Sequence, residues 1–365
     1  MSGQPTAAPL VEPAEPPAAP RRTARWCLGT RLLVGATALW LAFLLAHWLL
    51  LGRWWLWQLP EAAPPLTLLL GPLALLAAVR WARPVRRWLA PLQVLALLAG
   101  AALAGVVPGE RPTGETSPTD LTVFVWNTSY WDMDKDPEAL YAYLRARDAD
   151  VYLLQEYLHW RDDGPVAVDA TEELRARFPG YQVVAEGELL TLSRLPVVAA
   201  EPRPTGEGDD WYWGGRKAQR VDVRYAGRTV SLYNVHLQVP FRMEASPLSG
   251  AFYSFMRDQH ASREREISQL RDDLAVNRHP RLVAGDLNSP WGHRDPDLGP
   301  GLRRQDPSGG PLGGFSWPVA EYPLPALWRL DWAYTGGEFT VTRHTTHDNP
   351  SLSDHRGREL WLALD

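Results

Sequence analysis

The residues best suited to chemistry in this sequence stand where apolar runs meet polar ends. "VFVWN" closes on Asn127, "YLLQE" closes on Glu156, "YNVHL" carries His236, "AGDLN" carries Asp286 and Asn288, and "RLDWAY" carries Asp331. A late turn, "LSDHRG", adds Asp354 and His355. Any one of these is an ordinary feature of a polar turn, since Asp, Asn and His are common there. Together, carboxylates, amides and imidazoles form a set able to bind a hard cation and to move protons.

Such a set needs rigid supports, and the flanking patterns supply them. "LTVFVWN", "DVYLLQE", "YQVVAEG", "ELLTLSRLPV", "QRVDVRYAG", "TVSLYNVHL", "RLVAGDLN", "LDWAYTG" and "FTVTRHT" read as strands. "DPEALYAYLRARD" and "ASREREISQLRDDLAVN" carry apolar residues at helical spacing. An α/β domain with large sheets and external helices follows, with the polar residues held at strand ends beside a cleft. No Walker A or Rossmann glycine loop occurs, and no internal repeat.

The ordered set "VFVWN", "YLLQE", "LSRLP", "YNVHL", "AGDLNS", "RLDWAY" and "LSDHRG" resembles the endonuclease/exonuclease/phosphatase superfamily, the enzymes with a DNase I-like fold, from about Leu121 to the C-terminus. The resemblance implies a four-layer α/β sandwich, two packed mixed β-sheets flanked by helices, and Mg²⁺-dependent hydrolysis of a phosphoester, with Mn²⁺ as a substitute. Glu156 would then supply the hard oxygen ligand that Mg²⁺ prefers, with the Asn127 amide oxygen close by. Asp286 would accept a proton from the attacking water, and Asn288 would orient that water or the phosphate. In the family pattern His355 contacts a phosphate oxygen while Asp331 holds its imidazole, His236 is the second imidazole, and Asp354 lies on the metal side. Glu188 is the candidate partner of His236. Ser193 and Arg194 are expected to shape the cleft, and His344 and His347 to be ordinary surface groups.

The N-terminal part has another character. Residues 1–27 are rich in Pro and Ala and are expected to form a disordered cytoplasmic tail. Three apolar segments follow within residues 28–107, Leu28 to Leu51, Ala62 to Val79 and Trp88 to Val107, and each approaches the ~20 residues that cross a bilayer. Three transmembrane helices are therefore expected, then a linker over residues 108–120 and the catalytic domain over residues 121–365. Arg21, Arg22, Arg25 and Arg31 at the first segment, and Arg80, Arg83, Arg86 and Arg87 between the second and third, place those ends in the cytoplasm. The reading is a multi-pass protein of the cell membrane with an extracytoplasmic catalytic domain. A single cysteine, Cys27, excludes an internal disulfide framework.

Of the 37 basic and 42 acidic residues, 10 and 5 precede Thr119, which leaves 27 against 37 and a formal charge near −10 for the rest. Such a surface is not suited to gripping a polyanion broadly. Enzymes of the resembled family cut DNA, RNA, inositol phosphates and sphingomyelin. Charge and proximity to the bilayer favour a lipid-linked phosphoester or pyrophosphate over nucleic acid. An extracellular nuclease and a catalytically silent membrane binding module are the alternatives, and no obligate protein partner is evident.

Overall fold

The computed structural model describes residues 26–83, 85–106, 109–161, 164–200, 211–213, 215–242, 245–319, 325–349 and 351–364. The expected polar tail, apart from Trp26 and Cys27, lies outside them.

Four helices come first among the described residues: α1 (Leu28–Leu50), the single-turn α2 (Gln58–Glu61), α3 (Thr67–Ala78) and α4 (Arg86–Leu103). α1, α3 and α4 pack on one another, burying Leu44, Leu68, Ala96 and Leu103, with the Gln93 amide donating to Thr37 Oγ1 at 2.7 Å between α4 and α1. The expectation of three crossings is corrected here. Only α1 among the described helices is both long and apolar enough to cross a membrane. The 12 residues of α3 span about 18 Å against a ~30 Å hydrocarbon core, and its chain tightens into a 3₁₀ turn at Val79–Trp81. α4 begins on Arg86 and Arg87 and buries Gln93, which lowers its apolar content.

The remaining chain builds two six-stranded sheets. The strands are β1 (Leu121–Asn127), β2 (Val151–Gln155), β3 (Leu158–Arg161), β4 (Gly164–Ala167), β5 (Gln182–Glu186), β6 (Leu189–Ser193), β7 (Val197–Ala200), β8 (Ala218–Tyr225), β9 (Arg228–His236), β10 (Arg281–Asp286), β11 (Leu302–Arg304), β12 (Asp331–Gly336), β13 (Phe339–His347) and β14 (Gly357–Leu364). One sheet runs β13-β14-β1-β2-β6-β5 and the other β11-β12-β10-β9-β8-β7, while β3 and β4 form a separate hairpin. The pairs β1–β2 and β9–β10 are parallel and the other neighbours antiparallel, so both sheets are mixed.

Period-two alternation sorts the side chains. Leu121, Val123, Val125, Val151 and Leu153 meet Val230, Leu232, Leu282 and Ala284 between the sheets. The opposite face of the first sheet presents Phe124, Trp126, Tyr152 and Leu154 to α5 (Pro137–Arg145) and α6 (Thr171–Arg177). The opposite face of the second presents Tyr233, Val235 and Val283 to Ile267, Leu270 and Leu274 of α7 (Gly250–Val276). The order helix, sheet, sheet, helix is the expected four-layer sandwich. Leu232 is fully buried, so Leu232→Ala removes contacts worth about 2–5 kcal/mol. α5 is set by its own sequence: Asp136 caps it by accepting from Glu138 N at 3.0 Å, and Pro137 occupies the first turn.

Candidate active site

The same alternation carries the polar residues inward. Asn127 continues the inward series of Leu121, Val123 and Val125; His236 continues Val230 and Leu232; Asp286 continues Leu282 and Ala284; Asp331 shares its side with Ala333. Register then brings them together, because Asp286 stands opposite His236 on β9 and opposite Asp331 on β12. Gly285 has φ +145°, and a Cβ there would overlap the Val235 carbonyl oxygen, so the residue before Asp286 must be glycine. Glu156 follows β2 with φ +56°, which turns its carboxylate towards the same edge.

Two imidazoles face each other across Asp286. His355 Nδ1 lies 3.0 Å from Asp331 Oδ2 and His236 Nδ1 lies 2.9 Å from Glu188 Oε2. Their Nε2 atoms stand 3.6 Å and 3.8 Å from Asp286 Oδ2. Asn127 Nδ2 donates to Asp286 Oδ2 and to Glu156 Oε1, both at 3.0 Å, and so ties the two sheets together. Its Oδ1 accepts from Ser129 N at 2.9 Å, which fixes the amide orientation. The expected oxygen ligand is thus, as placed, a bridge that presents nitrogen to two carboxylates.

The late turn is held in place by its neighbours. Ser353 Oγ donates to the Asn127 carbonyl at 2.7 Å and accepts from His355 N at 2.9 Å, while Trp126 Nε1 donates to the His355 carbonyl at 3.0 Å. Trp317 Nε1 donates to Asp354 Oδ2 at 2.7 Å. Asn288 N donates to Asp286 Oδ1 at 2.8 Å, and Asn288 Nδ2 contacts both the Leu237 carbonyl at 2.8 Å and His236 Nε2 at 3.1 Å.

Charge follows from burial and partners. Burial opposes the imidazolium of His355, yet Asp331 and Asp286 outweigh it and raise the pKa well above the usual histidine range. Burial likewise opposes the charge of His236 and is overcome, chiefly by Glu188. The Asn288 amide that donates to the Leu237 carbonyl also stands 3.1 Å from His236 Nε2, so it positions this ring. Burial would raise Glu188, but His236 and Lys217 pull it down to about 2. Burial raises Asp286, against the opposing pull of His355. Asp331 is lowered, because His355 outweighs its burial.

Glu156 is raised by burial, relieved in part by His236 and pushed further by Asp354. No three His, Cys, Asp or Glu side chains among the described residues form a ready cage for a metal. The neighbouring carboxylates of Glu156 and Asp354 nevertheless suit Mg²⁺, which takes one or two carboxylates and fills its remaining positions with water and substrate oxygens.

Glu188 was legible only as a candidate, and two contributors went unread. Lys217 pairs with Glu188 on the side away from His236 and stands 4.0 Å over the Tyr212 ring, and Trp317 holds Asp354. Both lie in loops without periodic signal. Two expectations are corrected. Ser193 pairs with Val151 at the start of β2, the end of the sheet away from Glu156, and Arg194 binds Asp148 there, so neither lines this cleft. His344 is fully buried, and His347 is held between Arg147 Nη1 at 2.8 Å from its Nδ1 and Glu359 Oε2 at 2.7 Å from its Nε2.

Residues 124–355 match the Endonuclease/Exonuclease/phosphatase family, and the chain belongs to that family. Its members are phosphoester hydrolases that generally use divalent metal ions. Among solved structures the chain is similar to D. rerio TDP2 humanized by 14 mutations, at 14% identity over 67% of this chain and 99% of that one, with a TM-score of 0.49. It is similar also to a truncated Caenorhabditis elegans TDP2 (16% identity, 68% and 99%, TM-score 0.48) and to a Bacteroides thetaiotaomicron mannosyl-6-phosphatase (14%, 67% and 100%, 0.45). No curated protein sequence matches the chain.

Proposed function

We propose that this chain is a membrane-anchored, divalent-metal-dependent phosphoester hydrolase with an extracytoplasmic active site, acting on a lipid-linked phosphoester or pyrophosphate. The observation that carries the reading is the pair of carboxylate-held imidazoles whose Nε2 atoms both turn towards Asp286. Asp286 accepts a proton from the attacking water, a role suited to a carboxylate whose pKa is raised. The His355 imidazolium, held by Asp331, neutralises charge growing on the phosphoryl oxygens. His236 contacts the phosphate from the other side, and Asn288 orients the water or the phosphate. Glu156 and Asp354 would hold Mg²⁺, and Asn127 fixes Glu156 and Asp286 relative to each other. When bound, the metal supplies charge neutralisation at the phosphoryl group and acidifies water.

Two features support the membrane reading. Leu28, Leu32, Leu39 and Leu45 of α1 are exposed, as are Leu70 and Leu73 of α3 and Leu95 and Leu98 of α4, a surface that water does not favour. The distal end of α1 also lies against the candidate site. Trp291, three residues beyond Asn288, is buried among Leu44, Leu51 and Leu68, and its indole donates to the Glu61 carbonyl at 2.8 Å. A bilayer-anchored α1 therefore brings the cleft close to the membrane surface, where a lipid-linked phosphate is in reach. With Arg21, Arg22, Arg25 and Arg31 in the cytoplasm, one crossing leaves the catalytic domain outside.

The test is hydrolysis by the full chain, purified in neutral detergent, of a chromogenic diester, a polyprenyl pyrophosphate and DNA over a range of salt. Turnover of the lipid with shallow salt dependence is expected. Preference for DNA with steep salt dependence overturns the substrate assignment, and no turnover of any of the three returns the chain to a binding module. A reporter fused after Asp365 is expected to be active only outside the cytoplasm; activity inside overturns the orientation.

A further inference from the structure

A second cavity, of about 510 Å³, lies away from Asp286, between the distal end of α1 and the loop that follows the candidate site. Trp48 and Arg53 border it from the α1 side, Arg271 from α7, and Arg294 and Asp297 from the loop. Its charges are unevenly committed. Asp295 stands 3.4 Å from Arg263, and Asp297 Oδ1 accepts from Gly299 N at 3.0 Å. Arg271 is satisfied by the Asp297 carbonyl at 2.6 Å and 3.1 Å.

Arg53 and Arg294 are different. Among the described residues neither forms an ion pair, both line the cavity, and the Arg53 charge adds to burial in lowering the Arg294 pKa. Arg294 stacks on Trp48, its Cζ 5.7 Å from the ring centroid, and Arg53 reaches back to the Leu49 carbonyl at 3.4 Å. Two like charges thus face one roomy polar cavity, and none of its carboxylates, Glu264, Asp295 and Asp297, forms an ion pair with either of them. Planar guanidinium forks bind phosphate oxygens well. The location narrows the source of that phosphate: Arg53 follows the last turn of the candidate membrane helix, beside the exposed rings of Trp48 and Trp54, where indoles sit at headgroup level.

We propose that this cavity binds the phosphate of an anionic lipid headgroup between Arg53 and Arg294, at a site separate from the hydrolytic centre. Its placement at the bilayer surface rests on the membrane reading given above; the phosphate-binding chemistry does not. Such a site holds the loop that carries Asn288 and Trp291 against the membrane and sets the height of the cleft above it.

The test titrates the full chain, in a neutral detergent, with short-chain phosphatidylglycerol, short-chain phosphatidylcholine and inorganic phosphate, and reads binding by native mass spectrometry. Phosphatidylglycerol is expected to saturate one site, with phosphatidylcholine much weaker. The double variant Arg53→Gln/Arg294→Gln should bind at least about tenfold more weakly, since two charge-assisted contacts are lost, and Arg53→Lys/Arg294→Lys should retain most of the binding. Both arginines are exposed, so folding does not depend on them; an unchanged circular dichroism spectrum verifies this. Unaltered binding by the Gln variant overturns the proposal, and inorganic phosphate binding as tightly as the lipid overturns the lipid assignment. Glu156→Gln should bind phosphatidylglycerol normally while hydrolysing more slowly at limiting metal, so failure of this site and failure of the hydrolase reading are separate results.

Discussion

His355 and Asp331 offer the sharpest test, because the second substitution should restore stability without restoring rate. The imidazole and carboxylate meet at 3.0 Å, and both side chains are almost wholly buried. His355→Ala removes the charge that faces the phosphoryl oxygens, so turnover should fall by a factor of about 10² to 10⁴, equivalent to about 3–5 kcal/mol in the barrier. It also strands the Asp331 carboxylate, with the Arg358 cation the main remaining counter-charge. Removing one partner of a buried pair costs about 3–5 kcal/mol, so melting should drop clearly. Adding Asp331→Asn removes the stranded charge. The double variant should therefore melt higher than His355→Ala alone while its turnover stays at the same floor, since both residues act as one unit. Single-turnover assays on a chromogenic diester at saturating metal, paired with thermal melts in the same detergent, read both quantities. Near-wild-type turnover for His355→Ala, or a double variant less stable than the single one, would refute the reasoning.

Activity should vanish in excess chelator and return with Mg²⁺ or Mn²⁺, and Glu156→Gln should raise the half-saturating metal concentration at least about tenfold by removing a hard anionic ligand; turnover that survives chelation removes the metal from the mechanism. Trp291 is 1% exposed, so Trp291→Ala should cost about 3–5 kcal/mol and lower turnover, with Trp291→Phe recovering much of both; unchanged turnover in a destabilised Ala variant would show that the helices do not support the site. Glu61 is pushed up to about 8, first by burial and then by Asp295, whereas the unfolded chain ionises it near the ordinary carboxylate value of ~4.3. The folded chain thus binds the extra proton between these values, and the stability it contributes is complete below the lower one and lost as pH rises through the upper. Melting temperatures should accordingly fall between pH 5 and pH 8, and Glu61→Gln should flatten the fall; an equal slope in the variant rejects this assignment.

Strand ends were legible because their pattern is local. The runs ending on Asn127 and Asp286 alternate or stay apolar until one polar residue breaks them, and β1 follows its quoted stretch from Leu121 to Asn127. β14 was not legible: it opens on "GREL", where Arg358 and Glu359 look like a solvated turn yet are both buried. His344 was misread for a related reason. A bulge between Val341 and Arg343 shifts the alternation of β13, so the histidine turns inward where unbroken counting would leave it outside. The first half of α7, from Gly250, lacks the clear apolar spacing of its second half, and its cap, Ser249 accepting from Phe252 N at 3.2 Å, follows a polar loop that resembles many others.

Nothing near Trp291 in the chain hints that its partners are Leu44 and Glu61, more than two hundred residues away. Contacts of that kind depend on how finished layers meet, and no periodicity encodes them. The candidate site depends on long range too, yet it could be anticipated, because a register organises it. Asp286 is paired at once with His236 and with Asp331, and Asn127 is paired with the residue before Glu156. A slip of one residue in β10 would send Asp286 to the face occupied by Val283, against α7, and would also bury its charge among leucines. The apolar pattern that makes the strands therefore keeps these polar ends on the face between the sheets, which is why residues spread from Asn127 to His355 could be grouped before their distances were known.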